Sequence, residues 1–145
     1  MQKTIPFELI ALEENNYHIT VYCKFDNDDE GMWVIDTGAS KTVFDQTLEH
    51  LYSPLEVDDS LEIKSSGIGG ARLETTLGKL HAFALGDLRM EPMQVALIDL
   101  SHINELYYNA TDKKICGLIG SDFLLKHKAV INYETQELIL QTEDL

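Results

Sequence analysis

Two stretches of this 145-residue chain carry residue types whose order could do chemistry. The first is Trp33-Val34-Ile35-Asp36-Thr37-Gly38-Ala39-Ser40, an apolar run that ends in an acid, then a hydroxyl, a glycine and two small residues. A carboxylate at the mouth of an apolar strand is costly unless its charge is paired or hydrogen-bonded. Gly38 permits a tight loop and close backbone approach, and Thr37 and Ser40 offer hydroxyls that can tie the loop down. The pattern points to a carboxylate held at the floor of a cleft by backbone and hydroxyl donors. A plain Asp-Thr-Gly turn competes with this reading, but Met32 to Ile35 is apolar throughout, where a surface turn shows polar flanks.

The second stretch is Ile115-Cys116-Gly117-Leu118-Ile119-Gly120-Ser121-Asp122-Phe123-Leu124, an apolar strand broken by glycines that runs into a helix. Taken alone it reads as a strand–helix turn with Ser121 as N-cap. Other constellations are weaker. Gly67, Gly69 and Gly70 lack the Gly-Lys-Ser/Thr ending and following helix of a phosphate loop. Asp99, Ser101 and His102 are compressed into four residues without a nucleophile elbow. Asn109-Ala110-Thr111 is a glycosylation sequon read as coincidental, because no signal peptide is evident in MQKTIPFELIALEEN. No metal-binding spacing is present and no cofactor is expected.

The elements that must position these residues are mostly strands. Ile5, Phe7, Leu9 and Ala11 alternate in a first segment, and Ile19, Val21, Cys23 and Phe25 in a second, with Asn15-Asn16 turning between them. The turn 26–31 leads to Met32–Ile35, whose unbroken apolar character predicts a strand buried on both faces. Residues 61–63, the glycine-rich tip 65–70 and residues 73–85 read as a long hairpin. Gly86-Asp87 then turns the chain into a strand over 88–97, and Val130–Tyr133 with Glu137–Leu140 form a final hairpin. Two short helices are expected, one capped by Asp45 with Leu48 and Leu51 on one face and stopped by Pro54, the other over 122–127. Residues 98–114 read as an insertion of no assigned role. The fold class is all-β, a single closed barrel with one or two short helices, in a single domain spanning 1–145.

Composition narrows the partners. Lys and Arg number 11 against 25 Asp and Glu, a formal net charge of -14. That balance disfavours binding to nucleic acid or to an anionic membrane surface. The two cysteines, Cys23 and Cys116, make no disulfide framework and read as small buried hydrophobes, consistent with a reducing, cytoplasmic setting. Trp33 reads as core.

Together, Asp36-Thr37-Gly38-Ala39-Ser40 and Leu118-Ile119-Gly120 with its following helix resemble the retropepsin-like aspartic proteases, the clan of pepsin and the retroviral enzymes. The likeness runs over about residues 15–140 and is nearer to bacterial single-domain members. It implies a single-lobe acid-protease fold and an aspartic endopeptidase. Asp36 would be catalytic and Thr37, Gly38, Ala39 and Ser40 would form the active-site loop. Gly67, Ile68, Gly69 and Gly70 would form the flap, with Leu118, Ile119 and Gly120 at the substrate pocket. Such a mechanism needs two carboxylates, and this chain has one Asp-Thr-Gly sequence. The resemblance therefore implies a homodimer with one Asp36 from each copy acting on a peptide or protein substrate. Two alternatives stay open: a catalytically silent retropepsin-like dimerisation or peptide-binding module, and a small β-barrel binding protein with an accidental Asp-Thr-Gly. The sequence departs from the retroviral pattern at Ser121-Asp122, where those enzymes carry Arg-Asn, and shows no pepsin-like flap tyrosine.

Overall fold

Alternation along residues 16–25 sets the first framework strand. Val21, Cys23 and Phe25 are buried while Tyr22 and Lys24 are exposed, the period of two that a one-sided strand requires. In the computed structural model, which describes residues 1–55 and 76–142, this strand is the third of thirteen. In chain order the described strands are β1 (Gln2–Pro6), β2 (Glu8–Glu13), β3 (Asn16–Phe25), β4 (Glu30–Ile35), β5 (Val43–Asp45), β6 (Tyr52–Leu55) and β7 (Thr76–Leu80). They continue with β8 (Phe83–Leu85), β9 (Leu88–Met90), β10 (Met93–Ile98), β11 (Gly117–Ile119), β12 (Val130–Asn132) and β13 (Glu137–Gln141). Two α-helices join them, α1 (Ser101–Thr111) and α2 (Ser121–Lys126).

The large sheet has the order β6-β7-β10-β5-β11-β4-β3-β8-β9, with β2 paired to β3. A smaller sheet, β1-β13-β12, brings the two ends of the chain together, with Gln2 opposite Gln141 and Pro6 opposite Glu137. The decisive crossover is β11, which inserts between β4 and β5, parallel to β4 and antiparallel to β5. Its register sets Leu118 beside Val34 and Ile119 beside Ile35. The two stretches singled out in the sequence therefore end side by side, although about eighty residues separate them.

The core lies on both faces of β4. Trp33 and Ile35 join the main cluster with Phe44, Phe83 and Leu80, where Trp33 stacks on Phe83 at 5.6 Å between ring centroids. Met32 and Val34 point the other way, into a second cluster with Val43, Ala96, Leu100, Tyr107 and Ile115. The all-β single-lobe expectation holds, and so does burial of 32–35 on both faces.

Several expected boundaries shift for identifiable reasons. The stretch 73–85 is not one strand in its described part, because β7 ends at Leu80 and β8 begins at Phe83. Pro92, which has no N–H to donate, separates β9 from β10 within the stretch expected as one strand. Asp45 caps no α-helix. It ends β5, is 4 % exposed, and leads to a 3-10 turn at Glu49–Leu51 before β6 pairs with β7. Ser121 is the first residue of α2 rather than its cap, since Gly120 holds the cap position in extended conformation. The insertion of no assigned role contains α1, eleven residues long, which lies over the second cluster. The flap expectation at Gly67, Ile68, Gly69 and Gly70 falls outside the described residues.

Candidate active site

Asp36 is the first residue beyond β4, and it is partly exposed where the four residues before it are buried. Three hydrogen bonds fix it. Its backbone N–H donates to the Ile119 carbonyl at 2.9 Å, and its own carbonyl accepts the Ala39 N–H at 3.1 Å. The Gly38 N–H donates to Asp36 Oδ1 at 3.1 Å. The expected backbone donor to the carboxylate is thus present. Thr37 and Ser40 are exposed, and Ala39 is half-buried. By the alternation of β4, the Asp36 side chain follows Met32 and Val34 onto the face that α1 covers.

The loop is pinned from below by groups that sequence reading did not single out. Thr42 is fully buried. Its N–H and Oγ1–H donate to Asp122 Oδ1 at 2.9 and 2.8 Å, while its Oγ1 accepts the Gly120 N–H at 3.1 Å. The same Asp122 oxygen also accepts the Phe123 N–H at 2.8 Å. Asp122 therefore holds the start of α2 and the end of the loop that follows Asp36 in one knot. The Ser121 N–H completes it by donating to the Ala39 carbonyl at 2.7 Å. This is what Ser121-Asp122 does where the retroviral pattern has Arg-Asn. The only sequence hint was an acid in the first turn of a helix, a common cap feature that says nothing about its distant partner.

Gly120 is required by close approach. A Cβ there would lie 2.7 Å from the Lys41 carbonyl carbon and 2.8 Å from the Ala39 oxygen, both backbone atoms. Leu118 is half-buried against the second cluster, on the Asp36 side. Ile119 departs from the expectation of a pocket-lining side chain. It is 1 % exposed within the main core, because neighbouring β-strand side chains alternate faces, so it serves the site through its carbonyl.

A further neighbour of the site comes from α1. Tyr107 is 4 % exposed and its ring meets His18 edge-on at 5.7 Å. Burial raises the Tyr107 phenol above its ordinary pKa, and the negative charge of Asp36 raises it further. The helix is anchored by Asn104, whose Oδ1 accepts the Ile115 N–H at 2.7 Å and whose Nδ2 donates to the Ile115 carbonyl at 3.1 Å. Asp99, discounted as a triad member, accepts the N–H of Ser101 at the first turn of α1. Cys23 and Cys116 are free and buried, with their sulfurs 4.0 Å apart, and burial pushes the Cys116 thiol well up. Among the described residues no cluster of His, Cys, Asp or Glu could hold a metal, and no helix is long and apolar enough to cross a membrane. A cavity of about 560 Å³ lies apart from Asp36, between Phe7, Glu8, Tyr22, Met32 and Lys113.

The sequence model of the family described as Aspartyl protease matches residues 21–123. The chain belongs to the aspartyl protease family. Its fold is similar to that of the retroviral protease-like domain of Ddi1 from Leishmania major, with TM-score 0.52 and 16 % identity, covering 87 % of this chain and 90 % of that one. It is also similar to a retropepsin-like aspartic protease from Rickettsia conorii, with TM-score 0.48 and 15 % identity, covering 97 % of this chain and 90 % of that one. No curated protein matches in sequence.

Proposed function

We propose that this chain is an aspartic endopeptidase that works as a homodimer, with Asp36 of each copy forming the catalytic pair. The observation that carries the reading is the placement of Asp36. A partly exposed acid sits at the open end of a buried strand, with its backbone tied to Ile119 and its carboxylate to the Gly38 N–H. Two carboxylates flanking one water cannot both ionise cheaply, so they share a proton and titrate as a unit. The ionised partner takes a proton from the water as its oxygen attacks the peptide carbonyl carbon. The protonated partner donates to the carbonyl oxygen. Collapse of the tetrahedral intermediate then breaks the C–N bond: the carboxyl that took the water's proton gives it to the departing amine, and the re-forming carbonyl returns its proton to the other carboxylate, which restores the shared-proton pair.

One Asp-Thr-Gly sequence per chain supports a two-fold assembly as the source of the second acid. Exposed apolar side chains from α2 through the residue after β12 support a contact surface there: Leu125 is 81 % exposed, Val130 52 % and Tyr133 63 %. Leu118 suits an apolar subsite, and an extended peptide held as an added strand suits a site built on a sheet. Thr37, Gly38, Ala39 and Ser40 form the active-site loop.

The test is peptide-library turnover by wild type and Asp36→Asn. We expect the substitution to keep the fold and to cut turnover by at least about a thousandfold. Near-normal turnover in the variant would remove the aspartic mechanism. A wild type that captures peptides without cleaving them would instead establish the silent binding module.

A further inference from the structure

Helix α1 is the element for which the sequence offered no role, and its buried face has a definite shape. Leu100, Asn104 and Tyr107 are four and then three residues apart, so they share one side of the helix and its lead-in. Leu100 and Tyr107 belong to the cluster of Met32, Val34, Val43, Ala96 and Ile115. Asn104 locks the register by exchanging two hydrogen bonds with the Ile115 backbone and donating to Asp45 Oδ2 at 3.4 Å. Tyr107 therefore has little freedom to be anywhere else. Packing alone would be served as well by phenylalanine, and the hydroxyl needs its own explanation.

That hydroxyl has no hydrogen-bond partner among the described residues, and its oxygen is not one of their buried unpaired polar atoms, so the 4 % of Tyr107 that stays exposed includes the hydroxyl. The ring is buried and its polar tip is left at the surface, where the donor is free for a partner from outside the chain. Val34, two residues before Asp36 on the same side of β4, belongs to the cluster in which Tyr107 packs, so the phenol lies on the Asp36 side of the sheet, where the charge of that acid raises its pKa. Beside it are the His18 ring and the half-buried Leu118, on the sheet face that carries Asp36. An unused donor on a fixed ring, on the face of the sheet that carries Asp36, is suited to whatever occupies the space over that acid.

We propose that Tyr107 is a substrate-contacting residue of the Asp36 site. Its O–H donates to a backbone carbonyl of the extended peptide, and its ring joins Leu118 as an apolar wall against one peptide side chain. This rests on the reading of Asp36 as the site of peptide hydrolysis. It gives α1 a function: the helix presents a donor and a flat aromatic surface that a plain loop over 98–114 would not hold in place.

Tyr107→Phe removes the donor and keeps the ring. With no protein partner lost, the urea midpoint of unfolding should not move. With a peptide identified by library turnover, KM should rise about three- to tenfold with kcat nearly unchanged, the effect of one neutral hydrogen bond made equally in ground and transition states. Tyr107→Ala should shift library preference toward larger side chains at one subsite. Binding of hydroxyethylene peptide isosteres to wild type and Tyr107→Phe, measured by calorimetry, reads the same contact without catalysis. A three- to tenfold weakening supports the proposal. Equal affinity, or no binding by either protein, overturns it, as does an unchanged KM. Loss of stability in Tyr107→Phe without a change in affinity would make Tyr107 a core residue only. Failure of the catalytic reading shows separately, as undiminished turnover in Asp36→Asn.

Discussion

Asp36 is held by its neighbours' backbones, and those backbones are held by Thr42 and Asp122. Asp122 Oδ1 receives three donors, from Thr42 N–H, Thr42 Oγ1–H and Phe123 N–H. Thr42 Oγ1 in turn takes the Gly120 N–H in a buried setting. Thr42→Val keeps the shape and removes both side-chain bonds, which strands the Gly120 N–H away from water. Leaving a buried donor unsatisfied costs about 1–3 kcal/mol. We expect urea unfolding of the variant to show a loss in that range, and peptidase activity to fall more than the folded fraction does, because the knot sets the Asp36 loop. An unchanged midpoint would mean that another group satisfies Gly120. Asp36 was legible in the sequence because its signal is local, an acid ending an apolar run. The Thr42–Asp122 pair was not, because its partners are eighty residues apart and each is an ordinary residue where it stands.

At the scale of elements, β11 decides the architecture by fitting between β4 and β5. Its first residue must be glycine. A Cβ at Gly117 would lie 2.3 Å from the Val43 carbonyl oxygen and 2.4 Å from the Trp33 ring. The backbone oxygen cannot give way without disturbing the β11–β5 pairing. Gly117→Ala should therefore destabilise by about 3 kcal/mol or more. Gly38→Ala meets only Asp36 Oδ1, at 3.4 Å, an ordinary contact, and should cost under about 1 kcal/mol. Denaturation midpoints of the two variants check the contrast; equal losses would show that β11 tolerates displacement. The strands could be read from the sequence wherever a period of two held, as in β3, and where glycine marked a turn, as at Gly86, whereas the break at Pro92 was read through. Helix α1 escaped because its pattern is smeared: Leu106 is 64 % exposed and Tyr108 50 %, while the buried face includes the polar Asn104. No single apolar stripe marked it. Asp45 misled for a related reason. An acid ahead of Leu48 and Leu51 looked like a cap, but it is buried and receives Thr47, the Leu100 N–H and Asn104.

For the whole molecule, charge and assembly are coupled. Each copy carries a formal -14, and like charges oppose association. Salt screens such repulsion over a Debye length of about 8–10 Å near physiological ionic strength. The proposed dimer should tighten as salt rises at constant pH, so specific activity should rise with moderate salt in dilute enzyme and hardly change in concentrated enzyme. Sedimentation equilibrium across a salt series reads this directly. A dissociation constant that is flat or weakens with salt would place the acids away from the interface.

The central claim is that each catalytic centre takes one Asp36 from each of two chains. Mixing wild type with Asp36→Asn under conditions that exchange subunits tests it most directly. With a threefold excess of the variant, about one wild-type chain in four finds a wild-type partner, so activity per wild-type chain should fall to about a quarter. Activity per wild-type chain that stays constant at every ratio, with exchange confirmed by mass, would contradict the claim.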